Sequence, residues 1–271
     1  MIQMLNKVIF THINYIGNVG DFNCSPFDYY KFPFDIEVIH YMDFMGAIGG
    51  DPNFPHHKFK DRIIVVGGGG LITTQTDHLQ KILRYLIENN KVILWGVGSN
   101  TSYEVDWDIL KHPNILLAGL RDRVYGINAE YVPCPSCKHS AFDNPHPSPK
   151  GLGLHAHRAN QIPIEGDKIL NNVSIEELIN FLSSKEEIIT TSYHGTYWSQ
   201  LLDKKVLHYN ENEVVGSKYL NLKQGINICN STNYKELLEI SSKSIGLLKE
   251  SRYLNDKFYT KVVDIIQNLQ Q

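Results

Sequence analysis

The run Arg62-Ile63-Ile64-Val65-Val66-Gly67-Gly68-Gly69-Gly70 decides the fold. Four consecutive β-branched residues offer no polar side chain to solvent. A strand built from them is covered on both faces, which is the situation inside a parallel sheet flanked by helices. The glycines at its carboxyl end mark a turn. Lys7 to Ile13 and Ile36 to Tyr41 read as strands before this run, and Lys91 to Gly96 and Asn114 to Leu120 as strands after it. Between the third and fourth strands, residues Thr76 to Asn89 place Leu79, Ile82, Leu83, Leu86 and Ile87 on one face at helical spacing. Strands alternating with helices make a doubly wound α/β pattern.

Residues 133 to 166 interrupt this alternation with six prolines and little periodicity, and mark a crossing between two halves. The alternation then resumes. Leu152 to His157 reads as a short strand, and Ser174-Ile-Glu-Glu177 as a capping box that opens a helix to Ser184. Glu187 to Ser192 is a strand, Gly195 to Leu202 a helix, and Lys205 to Tyr209 and Ile226 to Cys229 are strands. Asn233 caps a C-terminal helical region with Leu237, Leu238, Ile240, Ile245, Leu247 and Leu248 as its apolar face and a break near Leu254-Asn255. The expected fold is α/β, with two Rossmann-like halves facing a cleft. Residues 1–150 form an N-terminal domain, and residues 151–271 a C-terminal domain that carries the C-terminal helices. Ligands of such sheets bind at the carboxyl ends of the strands, so residues just past each strand are the candidates for chemistry.

Bulk composition bounds the function class. The chain has 271 residues, 42% hydrophobic and 20% charged, and a formal net charge of -3. These are the proportions of a globular protein. The charge gives no general attraction to nucleic acid or anionic lipid, and no dense Lys/Arg cluster offsets it. No nucleic-acid partner is expected, and at most peripheral membrane contact. The opening Met1-Ile-Gln-Met-Leu-Asn-Lys-Val-Ile-Phe10 lacks the layout of a signal peptide, and no apolar stretch approaches a membrane span. A cytoplasmic location follows as the expectation. Cys24, Cys134, Cys137 and Cys229 are too scattered for a disulfide framework.

The leading candidate is His194, in the strand-to-helix turn Thr190-Thr191-Ser192-Tyr193-His194-Gly195. Backbone N–H groups at a helix start attract an anion, and a histidine there can give a proton to a bridging oxygen or take one from a hydroxyl. Gly195 allows close backbone approach. The glycines Gly68, Gly69 and Gly70 offer bare backbone to a phosphate or sugar, or simply form a tight turn; their contiguity fits neither a Walker A nor a dinucleotide fingerprint. Asn18 and Asp21 follow the first strand, where Asp21 either caps a helix or binds a sugar hydroxyl. Gly98 and Asn100 follow the fourth strand. Arg121, in Arg121-Asp122-Arg123, either grips a carboxylate or phosphate or belongs to a surface pair. Lys218 either holds an anion or is solvated. Cys134-Pro-Ser-Cys137 has CxxC spacing, with His139, His146, His155 and His157 nearby. Metal binding is conceivable there, but a zinc site needs a second ligand pair, so the thiols read as small buried residues lining the cleft, and no metal site is assigned.

In order and spacing, these segments resemble the polysaccharide pyruvyl transferase family over most of the chain. The resemblance rests on Asn18-x-Gly20-Asp21, Val65-Val66-Gly67-Gly68-Gly69-Gly70-Leu71, Gly96-x-Gly98-x-Asn100, Leu120-Arg121-Asp122 and Thr191-Ser192-Tyr193-His194-Gly195. It implies a glycosyltransferase B-like fold. It also implies transfer of a pyruvyl group from phosphoenolpyruvate, as co-substrate and without a further cofactor, to two hydroxyls of a sugar, giving a cyclic ketal in cell-surface polysaccharide biosynthesis. The acceptor would be a lipid-linked or nucleotide-linked glycan. His194 would be the general acid and Arg121 the clamp on the donor's carboxylate or phosphate, with Asn18, Asp21, Gly68, Gly69, Gly70, Gly98, Asn100, Ser192, Gly195 and Lys218 on the substrates. The chain departs from the family pattern at Ser192, where better-studied members carry arginine; Lys218, Arg158 and Arg123 are candidates for the missing charge. A nucleotide-sugar glycosyltransferase and a non-catalytic carbohydrate-binding protein are the alternatives, since one fold hosts many chemistries.

Overall fold

A computed structural model describes residues 7–99, 105–124, 126–157, 161–211 and 226–271. Two sheets, parallel throughout among the described residues, carry the chain. The first contains β1 (Val8–His12), β2 (Ile36–His40), β3 (Ile63–Val66), β4 (Gly69–Ile72), β5 (Lys91–Ser99), β6 (Ile115–Leu120) and β7 (Glu130–Tyr131). Its order is β2-β1-β3-β5-β6-β7, with β4 paired to the far end of β5. The second contains β8 (Leu152–Ala156), β9 (Asp167–Leu170), β10 (Glu187–Thr190), β11 (Lys205–Tyr209) and β12 (Asn227–Cys229), in the order β12-β11-β10-β8-β9. The two-sheet α/β architecture read from the sequence is therefore present.

Each sheet has a point where the strand order reverses, between β1 and β3 in the first and between β8 and β10 in the second. Such reversals open a crevice beyond the strand ends, because the connections on either side leave in opposite directions. Among the described residues the α-helices are α1 (Val19–Phe22), α2 (Met45–Ile48), α3 (His78–Asn89), α4 (Ile175–Ser184), α5 (Tyr193–Leu201), α6 (Tyr234–Ile240) and α7 (Leu247–Gln270). Among the described residues no helix is long and apolar enough to cross a membrane.

β3 is buried at every position, as its all-apolar sequence requires. One of its faces packs with Leu83, Leu86 and Ile87 of α3, and the other with Phe258, Val262 and Ile266 of α7. The chain after residue 150 thus does not stay with its own sheet, since α7 returns to cover the first one. The expected break at Leu254-Asn255 is absent, and α7 runs through it. Asn255 is a buried anchor rather than a breaker. Its Oδ1 accepts from Trp95 Nε1 at 2.8 Å, and its Nδ2 donates to the Pro133 carbonyl at 3.1 Å. Asn255→Ala would orphan both partners inside the protein, at a cost of about 2 kcal/mol. Urea unfolding should show that loss as a lower midpoint at unchanged slope.

Other boundaries move for local reasons. The helical region breaks at residues 241–246 instead, where Gly246 takes a φ of 77°. Ile240 and Ile245 are 70% and 85% exposed, so they do not belong to the apolar face assigned to them. Asn233 precedes α6 without a side-chain capping bond. Gly69 and Gly70, read as a loop before a helix, pair as strand β4 with Val97 and Gly98 of β5. The helix expected from Gly195 starts at Tyr193, because Ser192 is its N-cap. Ser174 caps α4 by accepting from the Glu177 N–H, as its sequence predicts. β9 is largely exposed and has no apolar alternation to reveal it.

Candidate functional site

The carboxyl ends of the two sheets meet around a cavity of about 330 Å³, a volume in the range of small-molecule sites. Asn18 and Asp21 reach it from the segment after β1, Arg121 from the end of β6, and Gly70 from β4. The second sheet supplies His157 after β8, and Thr191, Ser192, Tyr193 and His194 after β10. Residues flanking both reversal points therefore face one space.

The turn into α5 is built by short-range capping. Ser192 Oγ accepts from the Gly195 N–H at 3.4 Å, and the Ser192 carbonyl accepts from Thr196 Oγ1 at 3.0 Å. Every residue of α5 is buried, so the helix sits inside the molecule with its N-terminal end at the cavity. Two glycines make this packing possible. A Cβ at Gly195 would lie 2.1 Å from His155 Nδ1, and a Cβ at Gly20 would lie 2.1 Å from His194 Nδ1. Gly20 thereby lets α1 of the first half rest directly on the His194 ring. Gly195 serves its neighbour His155 rather than opening backbone to the cavity.

His194 is 4% exposed. Its Nε2 lies 3.5 Å from Cys134 Sγ, and its ring lies 5.2 Å from that of Trp198. Arg121 is 3% exposed, with its guanidinium carbon 3.8 Å from the Tyr193 ring centroid, a cation–π contact. Its Nη2 donates to the Ser99 carbonyl at 3.4 Å, and its buried Nε has no partner among the described residues. Burial works against its charge, while Tyr193, Asp122 and Asp21 favour it, and the balance raises its pKa. A guanidinium has five N–H donors, and one long bond leaves this one under-used. A buried, charged donor set with spare capacity at a cavity is suited to an anion.

A directional chain of hydrogen bonds joins the two halves beside it. The Ser192 N–H donates to Thr190 Oγ1, which lies 3.0 Å from His155 Nδ1. His155 Nε2 lies 3.1 Å from Asn171 Oδ1, the Asn171 amide donates to Asn18 Oδ1, and Asn18 Nδ2 donates to Asp21 Oδ2 at 2.6 Å. Because Asn171 Oδ1 only accepts, His155 carries its proton on Nε2 and accepts from Thr190 on Nδ1. Burial, the largest cause, lowers the His155 pKa from 6.5 to about 4. His12, also buried and facing His40, is lowered to about 4 as well. The unfolded chain binds protons between those values that the folded chain refuses. Stability is therefore whole above about pH 6.5 and falls as pH drops towards 4, by about 3 kcal/mol for His155 alone. Urea unfolding followed across this range should show the fall, and His155→Gln should remove the His155 share of it.

The remaining candidates lie elsewhere. Gly68 packs against Cys24 and the Gly96 carbonyl, Gly69 against its neighbour Leu71, and Gly98 against the Arg121 and Asp122 side chains. Asp21 is not a helix cap; Asn18 caps α1. Arg123 is exposed over Tyr131. Asn100, Arg158 and Lys218 lie outside the described residues. His139 pairs with Glu176, and His146 is exposed. All four cysteines are buried thiols. His157, read from the sequence as a histidine near the CxxC motif, lines the cavity, whereas Tyr193 and Asn171 were not singled out, although the Tyr193 position between Ser192 and His194 in the turn was a signal available for it.

The family model described as "Polysaccharide pyruvyl transferase" matches residues 5–211. No curated protein matches the chain. Among solved structures, an uncharacterized protein from Klebsiella pneumoniae subsp. pneumoniae NTUH-K2044 is similar, with a TM-score of 0.49 and 12% identity over 83% of this chain and 92% of that one.

Proposed function

The chain belongs to the polysaccharide pyruvyl transferase family, and from that premise we propose that it transfers a pyruvyl group from phosphoenolpyruvate to two hydroxyls of a sugar, forming a cyclic ketal. The observation that carries this reading is the pairing of Arg121, a buried guanidinium with unused donors, and His194 on one cavity. On this reading Arg121 holds the donor's carboxylate or phosphate. His194 protonates the methylene carbon of the enol, and the adjacent carbon becomes oxocarbenium-like. One sugar hydroxyl attacks it and gives its proton back to His194, phosphate leaves, and the second hydroxyl closes the ring as its proton passes to the departing phosphate. Asn18 and Asp21, at the start of α1 beside the His194 ring, are the partners for the sugar hydroxyls.

Ser192, where the family's better-studied members carry arginine, is used as a helix cap here. Arg121, reaching over from the first sheet, is our replacement for that charge. We read the paired sheets as a glycosyltransferase B-like arrangement, with the acceptor on the side of residues 1–150, the donor against 151–271, and a lipid-linked or nucleotide-linked glycan as acceptor. The test is incubation with phosphoenolpyruvate and a panel of sugar acceptors, followed by mass spectrometry and phosphate assay. Phosphate release matched by a pyruvyl mass gain supports the reading. Thermal stabilisation by nucleotide sugars alone, with no such gain, counts against it.

A further inference from the structure

Asn171 lies outside the cavity lining, and the reaction just proposed gives it no part. It follows β9 of the second sheet and is 1% exposed, yet it is bound twice to the start of α1 in the first half. Its carbonyl accepts from the Val19 N–H at 3.0 Å, and its Nδ2 donates to Asn18 Oδ1. The direction of these bonds is fixed by a backbone group that can only donate. The Gly20 N–H meets the Asn18 side chain at 3.2 Å, so the atom it meets is the oxygen. The Asn171 atom facing that oxygen must then be the nitrogen. This leaves the Asn171 oxygen against His155 Nε2, 3.1 Å away, where it accepts. Both ends of the Asn171 amide are therefore matched. Turning it over would set oxygen against oxygen at Asn18 and N–H against N–H at His155.

We infer that Asn171 is a positioning residue of the sugar-acceptor site: from the second sheet it locks the Asn18 amide, so that Asn18 offers the cavity an N–H donor beside the Asp21 carboxylate, and no acceptor. Both lone pairs of Asn18 Oδ1 are taken, one by Gly20 and one by Asn171. One Nδ2 hydrogen goes to Asp21 Oδ2 at 2.6 Å, and the second makes no bond among the described residues. A carboxylate accepts several hydrogen bonds at once, so Asp21 can hold Asn18 and a ligand together. A hydroxyl both donates and accepts, and matches a donor set beside an acceptor. An ether or ring oxygen only accepts, and meets the carboxylate unfavourably. The locked amide thus selects a free hydroxyl at this place.

The role toward the sugar rests on the pyruvyl-transfer reading, whereas the locked amide does not, so the two are tested apart. Without substrate, nuclear Overhauser spectroscopy on 15N-labelled wild-type protein should place the Asn171 side-chain amide protons next to the Gly20 amide proton, because both point at Asn18 Oδ1. Asn171→Ala identifies the Asn171 signals by their loss. A wild-type Gly20 amide proton with no such neighbour overturns the inference and needs no folded variant. In the transfer assay, Asn171→Asp keeps the shape but, as a carboxylate, cannot donate to Asn18. It should raise KM for the sugar acceptor about tenfold, with kcat and KM for phosphoenolpyruvate unchanged. Asn18→Ala should raise the acceptor KM to a similar extent. Adding Asn171→Ala to it should raise KM no further, since Asn171 acts through Asn18. Additive losses overturn the positioning role, as does a lower unfolding midpoint at unchanged acceptor KM. The Gly20–Asn171 contact in a wild-type protein that transfers no pyruvyl group removes the proposed reaction and leaves the locked amide standing.

Discussion

His194→Ala is expected to reduce pyruvyl transfer about 100- to 10,000-fold, the span of a lost general acid. The loss should fall on kcat, because the donor's charge is assigned to Arg121, and the affinity for phosphoenolpyruvate should change by no more than a few fold. The ring also fills space between Gly20 and Cys134, so alanine leaves a cavity. His194→Gln is the better matched control for folding: it retains bulk and a hydrogen-bonding tip but cannot shuttle a proton. Unimpaired transfer in either variant would remove His194 from the chemistry.

Arg121→Lys is expected to be the second most damaging change, despite preserving the charge. An ammonium cannot reproduce the planar fork that grips a carboxylate or phosphate through two parallel bonds, nor lie flat over the Tyr193 ring 3.8 Å away. We expect kcat/KM for the donor to fall about 100-fold, with KM for phosphoenolpyruvate raised. Inorganic phosphate, as a product-like anion, should protect the wild-type protein against thermal unfolding more than it protects this variant. Equal protection and an unchanged KM would show that the donor's charge is held elsewhere. Arg121→Gln separates the two contributions, since it keeps donors but removes the charge.

The placement of Arg121 was half legible. Its position just past an apolar strand pointed to a ligand-facing edge, and that is where β6 ends. Nothing in the local sequence distinguished a buried guanidinium from the surface half of an Arg/Asp pair. That distinction comes from Tyr193, the first residue of α5, just past β10 of the other sheet. The glycine run shows the converse. Contiguous glycines after a strand suggested a cradle, but Gly68 is committed to packing on Cys24 and the β5 backbone, and only Gly70 faces the cavity. At Asn255, a polar residue in a helical pattern looked like a break. It is instead satisfied by Trp95 from the first sheet, a partner that sequence spacing cannot supply.

What the amino-acid order determined by itself has a short physical range. The β-branched runs produced strands buried on both faces, the spacing of Leu83, Leu86 and Ile87 set the apolar face of α3, and Ser174 capped α4, because these depend on neighbours within a turn or a pleat. The family resemblance rests on the same local segments. What only the tertiary structure decided was which of those segments meet. Two crossings of strand order bring Asn18 and Asp21 to one cavity with Thr191 and Ser192, stack Arg121 on Tyr193, and carry Cys134 to His194 across 60 residues of sequence. Those contacts are set by how the two sheets pack across α5, and packing is a property of the whole core, to which no single stretch of sequence holds the key.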